Sequence, residues 1–199
     1  MESFRKLLDV ANRLLGPGGC PWDLEQTITT LQPYLLEESH ELIEAIDSQD
    51  PKKMKEELGD VLYTLIFIAK LAEKQGLFTI FDSIDEVREK LIRRHPHIFG
   101  EVKVEGSEDV MKNWEEIKMK EGRKKTFEGM PPTLPALARA QKVFARLRRK
   151  QVIPNREKTL DSESDLAKKL WCLIEEAEFS GLDAETILRK YCQEKEADF

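Results

Sequence analysis

Four carboxylates in this chain have a spacing that chemistry can use: Glu38 with Glu41, and Glu57 with Asp60. Within each pair the residues are three apart, which on an α-helix puts both side chains on one face, a turn apart. If two helices carrying such pairs pack antiparallel, four acids converge at one edge of the contact. Like charges a few ångströms apart raise each other's pKa, and an enclosed unpaired carboxylate is costly. Such a cluster therefore needs protons, basic partners or a cation. An all-oxygen donor set is hard and points to Mg²⁺, with Mn²⁺ as the alternative, and away from zinc. The competing reading is a solvated helix face paired with Lys52, Lys53 and Lys55. Against it, Glu38 falls inside an apolar arc made by Leu35, Leu36, Leu42, Ile43, Ala45 and Ile46, with Glu41 on the edge of that arc.

The flanking residues supply the helices. Pro33 suits a first helical position, Asp50-Pro51 reads as a cap followed by a second helix, and Gly76 suits its end, which predicts helices over 33–47 and 51–75. The second carries an arc of Leu58, Val61, Leu62, Leu65, Ile66, Ile68, Ala69 and Ala72, with Glu57 at its border and Asp60 one step further round. The short connection favours an antiparallel pair. Upstream, Phe4, Leu7, Leu8, Val10, Ala11, Leu14 and Leu15 predict an amphipathic helix over 3–15 that Gly16-Pro17-Gly18-Gly19 ends, and Cys20-Pro21-Trp22-Asp23 reads as a loop. Downstream, Asp82 reads as an N-cap for a helix ending in Lys90, Arg93 and Arg94 and halted by Pro96. Lys90 and Arg94 share a face at i,i+4, a pair that can hold phosphate oxygens. His95 and His97, on either side of Pro96, read as structural. Residues 98–106 read as a polar loop and Ser107 as the cap of a helix striped with Val110, Trp114, Ile117 and Lys118. Glycines and prolines between Gly122 and Pro135 mark a boundary, followed by a basic helix over 134–150. Its Arg146, Arg148, Arg149 and Lys150 lack interleaved aromatics and read as a solvated face, not a nucleic-acid stripe.

With 199 residues, 40% hydrophobic and 35% charged, the chain has the make-up of a soluble, helix-rich globular protein. Its net charge of −6 does not favour nucleic acid as a partner. Three cysteines without CxxC spacing indicate neither a disulfide framework nor a zinc knuckle. No apolar run is long enough for a membrane span or a signal peptide, so the expected compartment is the cytoplasm. No GxxxxGK[ST] supports a P-loop NTPase, and neither Glu38 nor Glu57 has the His three residues on that a di-iron bundle uses.

Glu37-Glu38-Ser39-His40-Glu41, followed after fifteen residues by Glu57-Leu58-Gly59-Asp60, resembles the EExxE…ExxD signature of the MazG family of nucleoside triphosphate pyrophosphohydrolases. Gly19-Cys20-Pro21-Trp22-Asp23 with Gln26, Lys90-Leu91-Ile92-Arg93-Arg94-His95-Pro96 and Trp114-Glu115-Glu116-Ile117-Lys118 are similar to its flanking motifs, in family order over 1–121. The family pattern has a His two residues after the Gln; here it is Ile28, a departure expected to bear on substrate preference. The resemblance implies an all-α fold, a MazG-like helical bundle whose antiparallel pair carries the metal site. It implies hydrolysis of a nucleoside triphosphate to monophosphate and pyrophosphate. Glu38, Glu41, Glu57 and Asp60 would be the ligands, with Glu38 and Glu41 catalytic and Glu38 also a candidate proton acceptor. Trp22, Lys90, Arg93, Arg94, Trp114 and Lys118 would bind the substrate. The alternative is a catalytically silent nucleotide-binding or assembly protein that keeps the fold.

Residues 165–174 resemble 57–66, and Asp183 onward resembles the helix leading to Lys90, as in a worn second copy of the module. Lys168 stands where Asp60 does and Asp198-Phe199 where Arg93-Arg94 do, so this copy has lost its ligands; unrelated helices with the same pattern remain the alternative. The expected domains are thus a catalytic one over 1–121, a linker over 122–135 and a degenerate second module over 136–199. The wide apolar arcs predict a homodimer, or burial against the chain's own second module.

Overall fold

The computed structural model of the chain describes residues 2–122, 127–150, 152–153 and 162–198, apart from the side chains of Glu108, Lys112, Glu115 and Lys118. Among the described residues the fold is all-α, without strands. Its helices are α1 (Glu2–Leu15), α2 (Pro21–Glu25), α3 (Gln32–Asp47), α4 (Pro51–Lys74), α5 (Ile80–Arg94), α6 (Pro96–Phe99), α7 (Ser107–Lys120), α8 (Ala136–Arg149), α9 (Glu163–Phe179) and α10 (Ala184–Ala197). They form two compact units, Met1–Arg93 and Arg94–Phe199, divided at the end of α5. The expected linker lies inside the second unit, and its residues 123–126 are outside the described set.

The first unit is built on the α3–α4 hairpin. Its three-residue turn works because Gln49 takes a left-handed conformation, φ 54°, and Asp50 caps α4 by accepting from the backbone N–H groups of Lys52 and Lys53 at 2.9 and 3.3 Å. Pro51 occupies the first turn, where its missing N–H costs nothing. Helix α1 lies on α4 through Leu8, Ala11 and Ile66, supported by Phe4, Leu7, Tyr63 and Ile80. A second cluster joins Leu31, Phe67 and Leu71 with Leu15, Ile28, Tyr63 and Ile68. Each fully buried Leu, Ile or Phe contributes about 1.5–3 kcal/mol. Ile28 is therefore a core contact, which accounts for an apolar residue at that position.

Between α1 and α3 the chain turns sharply: a Cβ on Gly19 would lie 2.0 Å from the Leu14 carbonyl oxygen, so only glycine fits. The Cys20 N–H then donates to the same oxygen at 2.9 Å. Beyond it the chain forms the short helix α2 in place of the expected loop. Pro21 opens it instead of breaking it, because proline's fixed φ suits a first turn. Helix α5 likewise starts earlier than expected. Thr79 is the capping residue, and Asp82 sits at the third helical position, accepting from the Thr79 N–H and Oγ1 at 2.7 Å each while its own N–H donates to Thr79 Oγ1 at 3.2 Å. This is a reciprocal capping box. Pro96, expected to halt α5, also opens the one-turn helix α6, and α7 begins at Ser107 with Gly106 preceding it.

In the second unit α10 lies along α8. Glu185 accepts from the Ala136 N–H through both oxygens at 2.9 Å, closing the start of α8. Arg139 makes two 2.8 Å bonds to Glu196 and a third to the Pro131 carbonyl oxygen. Met130, Val143 and Leu147 form the apolar cluster beneath. Arg146 is buried and donates to the Glu128 carbonyl oxygen at 3.2 Å, so it anchors the preceding turn and does not belong to a solvated basic face. Helix α9 buries none of its residues. Among the described residues, no helix is long and apolar enough to cross a membrane.

Candidate metal centre and its surroundings

The hairpin brings Glu38 and Glu41 of α3 against Glu57 of α4, with one carboxylate oxygen of each lying within 4.8 Å of the others. Glu57 is the most enclosed at 8% exposure, Glu38 is half-buried and Glu41 exposed. The sequence pattern points instead to Glu38 as the most enclosed. The difference arises because much of the α3 arc, Leu36, Ile43 and Ile46, stays on the surface, so lying inside that arc does not by itself bury a side chain. Asp60 is outside the close triad but near enough that its charge acts on Glu38.

Charge and burial act together here. Burial pushes the Glu38 carboxyl up, and the charges of Asp60, Glu41, Glu57 and Glu37 push it the same way. Burial also raises Glu57, followed by Glu41, Glu56 and Asp60, with Lys53 opposing. Lys53, one turn before Glu57, crosses the hairpin to Glu44 at 2.9 Å, and this bond raises its own pKa. Its charge acts on Glu57, and its four-residue spacing from Glu57 is the sequence signal for it. Three convergent carboxylates that repel one another, with all-oxygen donors, fit a hard divalent cation.

Trp22, on α2, is half-exposed and meets Tyr34, in the first turn of α3, edge to face at 5.5 Å. Its neighbour Asp23 is buried. Burial raises the pKa of Tyr63, and after burial the charges of Asp23 and Cys20 act the same way. Lys90 and Arg93 lie on α5 in the same unit, Lys90 half-buried and Arg93 exposed.

Within the second unit Arg94 is held by Glu121, its Nε and Nη2 donating at 3.0 and 2.6 Å. Its guanidinium carbon lies 5.8 Å from the centre of the Trp114 ring, and His95 meets that ring edge-on at 5.0 Å. Arg94 and Trp114 are thus neighbours, and no spacing or motif in the chain points to Glu121 as the partner of Arg94. Lys118 falls on α7 with its side chain outside the described set.

Residues 26–99 match the MazG nucleotide pyrophosphohydrolase domain, a span that includes the four acids, Lys90, Arg93 and Arg94. A mazG-related protein from Thermotoga maritima, known from its crystal structure, aligns at 33% identity and a TM-score of 0.52, over 58% of this chain and 98% of that one. The chain belongs to the MazG family. It is 41% identical over 151 residues to a nucleoside triphosphate pyrophosphohydrolase of Escherichia coli K12, covering 73% of this chain and 57% of that protein. It is 46% identical over 143 residues to the nucleoside triphosphate pyrophosphohydrolase/pyrophosphatase MazG of Thermotoga maritima, covering 70% and 54%. The chain thus spans just over half the length of these two relatives.

Proposed function

We propose that this chain hydrolyses nucleoside triphosphates between the α- and β-phosphates, releasing a monophosphate and pyrophosphate. The observation that carries this reading is the triad of Glu38, Glu41 and Glu57 within 4.8 Å on one hairpin, in a chain whose relatives bear that activity in their names. Glu38, Glu41, Glu57 and Asp60 would hold Mg²⁺, or Mn²⁺ in its place. Bound there, such an ion neutralises phosphate charge and lowers the pKa of water. Glu38, its pKa raised by burial and by the acids around it, is suited to receive the proton of the attacking water. Glu41 orients that water and completes the donor set. Lys90 and Arg93 take the charge of the departing pyrophosphate. Arg94 and Lys118 are further proposed substrate contacts, Arg94 only where the substrate replaces Glu121 on its donors. Trp22 provides a flat face for the nucleotide, and Trp114 is proposed separately as a substrate contact of the second unit.

Assembly and compartment belong to the same proposal. Leu36, Ile43 and Ile46 on α3 and Leu58, Leu62 and Leu65 on α4 are exposed and support a homodimer formed through this hairpin. Three free cysteines fit the reducing cytoplasm. Residues 1–121 act as the catalytic domain, and the module beyond the linker, with Lys168 at the position matching Asp60, packs without catalysing.

The test is a product assay on the purified full chain with a panel of NTPs and dNTPs, in Mg²⁺ or in EDTA. Monophosphate and pyrophosphate forming only with metal is the expected result. Diphosphate and phosphate would displace the cleavage site, and binding without turnover would favour a silent nucleotide binder.

A further inference from the structure

The edge-to-face contact between Trp22 and Tyr34 joins residues twelve apart in sequence, with centroids at 5.5 Å and planes at 86°. With exposures of 48% and 38%, the two rings form a surface pair and neither is a core plug. The Trp22 backbone is fixed from one side: its carbonyl oxygen accepts from Gln26 Nε2 at 2.9 Å, and Gln26 Oε1 accepts from Thr30 Oγ1 at 2.8 Å. Those bonds set where the residue sits but leave the plane of its indole to side-chain contacts. Tyr34 is such a contact. It belongs to the first turn of α3, and Glu38 and Glu41 follow it at four and seven residues, on the same face. At 1.5 Å rise per residue the acids lie about 6 and about 10 Å along the axis from Tyr34. In a perpendicular pair one ring turns its edge to the other, so at least one indole face stays clear of the tyrosine.

We propose that Tyr34 is a positioning residue for the nucleobase: it holds the Trp22 indole in one plane, so that its open face receives a planar heteroaromatic ring at a set distance from the carboxylate cluster. This deepens the proposed function and rests on its placing of the nucleotide over Trp22 and of the phosphates near Glu38, Glu41 and Glu57. Every base has a π-face, so a platform of this kind admits many bases and supplies affinity without choosing strongly among them. The contact is ring to ring, so what it asks of position 34 is an aromatic ring. Phenylalanine at position 34 therefore serves as well, whereas a side chain without a ring leaves the indole free to turn.

The experiment measures, on the full chain with Mg²⁺, the affinity for α,β-methylene-ATP and for inorganic triphosphate, together with KM and kcat for ATP. Tyr34→Ala is expected to weaken the nucleotide analogue about tenfold, within the range measured for loss of a base-stacking side chain, and to raise KM alike. Triphosphate affinity stays within twofold, kcat holds, and Tyr34→Phe matches wild type. If Tyr34→Ala does not fold, Tyr34→Leu keeps the apolar volume and gives the same reading. Parallel loss of analogue and triphosphate, a fall in kcat at constant KM, or no change at all would each overturn the proposal. Wild-type protein that binds the analogue through Tyr34 without hydrolysing ATP would sink the pyrophosphohydrolase reading and leave Tyr34 in place. Wild-type protein that binds neither compound would remove both.

Discussion

At the scale of single residues, the cluster on the α3–α4 hairpin is an electrostatic liability in the metal-free protein. Glu38 and Glu57 both have raised pKa values because burial and like charge act in the same direction. Replacing one acid by its amide should therefore relieve repulsion while removing a proposed ligand. Glu57→Gln is expected to melt at a higher temperature than wild type in EDTA, and to lack the upward shift with Mg²⁺ expected of wild type. A differential scanning calorimetry pair, with and without metal, reads both; a lower melting temperature in EDTA would show that Glu57 is a structural acid with a partner it needs. Glu38→Gln should keep its helical circular dichroism and lose turnover by about a hundredfold or more, the usual contribution of a proton acceptor. Parallel loss of fold would mean that Glu38 holds the hairpin together.

At the scale of elements, caps decide where helices begin, and two of them make stability depend on pH. Asp82 accepts from Thr79 through side chain and backbone, and Asp183 accepts from Thr186 through backbone and side chain; each has its pKa lowered from the ordinary 3.8. A depressed carboxylate contributes stability that is present above its unfolded value and lost as pH falls through the folded one. The acid limb of the stability curve should thus steepen below about pH 4, and Asp183→Asn should flatten it for the second unit. Thr79→Ala should cost about 1 kcal/mol at neutral pH, as loss of a cap does, measured by urea titration. Caps also separate what is legible in the sequence from what is not. The bounds of α3 and α4 can be read because Pro33, Asp50-Pro51 and Gly76 each permit little else. Helix α2 cannot, since Gly, Cys and Pro in a row read as loop whether or not Pro21 opens a turn. The true cap of α5 is hidden because Thr79 and Asp82 are both capping residues, and only the geometry shows which is which. Arg146 reads wrongly as solvated because a basic stripe does not reveal which member finds a buried carbonyl. Spacing, with the short turn that makes the pair antiparallel, points to four converging acids, of which Glu38, Glu41 and Glu57 come together and Asp60 lies outside the close triad. The Trp22–Tyr34 contact is not legible, because it closes across a turn whose path the sequence leaves open.

At the scale of the whole molecule, each unit raises its own question. In the second, Arg139 and Glu196 form an ion pair with 7% and 13% of their side chains exposed. Removing one partner strands the other, so Arg139→Ala should cost roughly 3–5 kcal/mol, while Arg139→Met with Glu196→Leu should recover most of it; chemical denaturation of wild type and both variants reads the difference. In the first, the hairpin leaves Leu36 62% and Leu58 58% exposed, with Ile43, Ile46, Leu62 and Leu65 beside them. Leu58, Leu62 and Leu65 recur at four and three residues, so they form one stripe along α4, and a stripe of that kind is what a second helix pair would cover. Six exposed large aliphatic side chains on one hairpin exceed the scattered apolar residues normal on a monomer. The same stripe sits beside the acids, since Leu58 follows Glu57 directly, so the proposed assembly face and the proposed metal site share a scaffold. Leu62→Asp places a charge in the middle of the stripe without touching a proposed ligand. It is expected to convert a dimer into a monomer in light scattering at micromolar concentration, with circular dichroism unchanged. Turnover should fall with it only if the hairpin needs its partner to hold the acids together, and stay constant per chain if the hairpin is rigid alone. A monomeric wild type would instead mean that the face is covered by something other than a second copy.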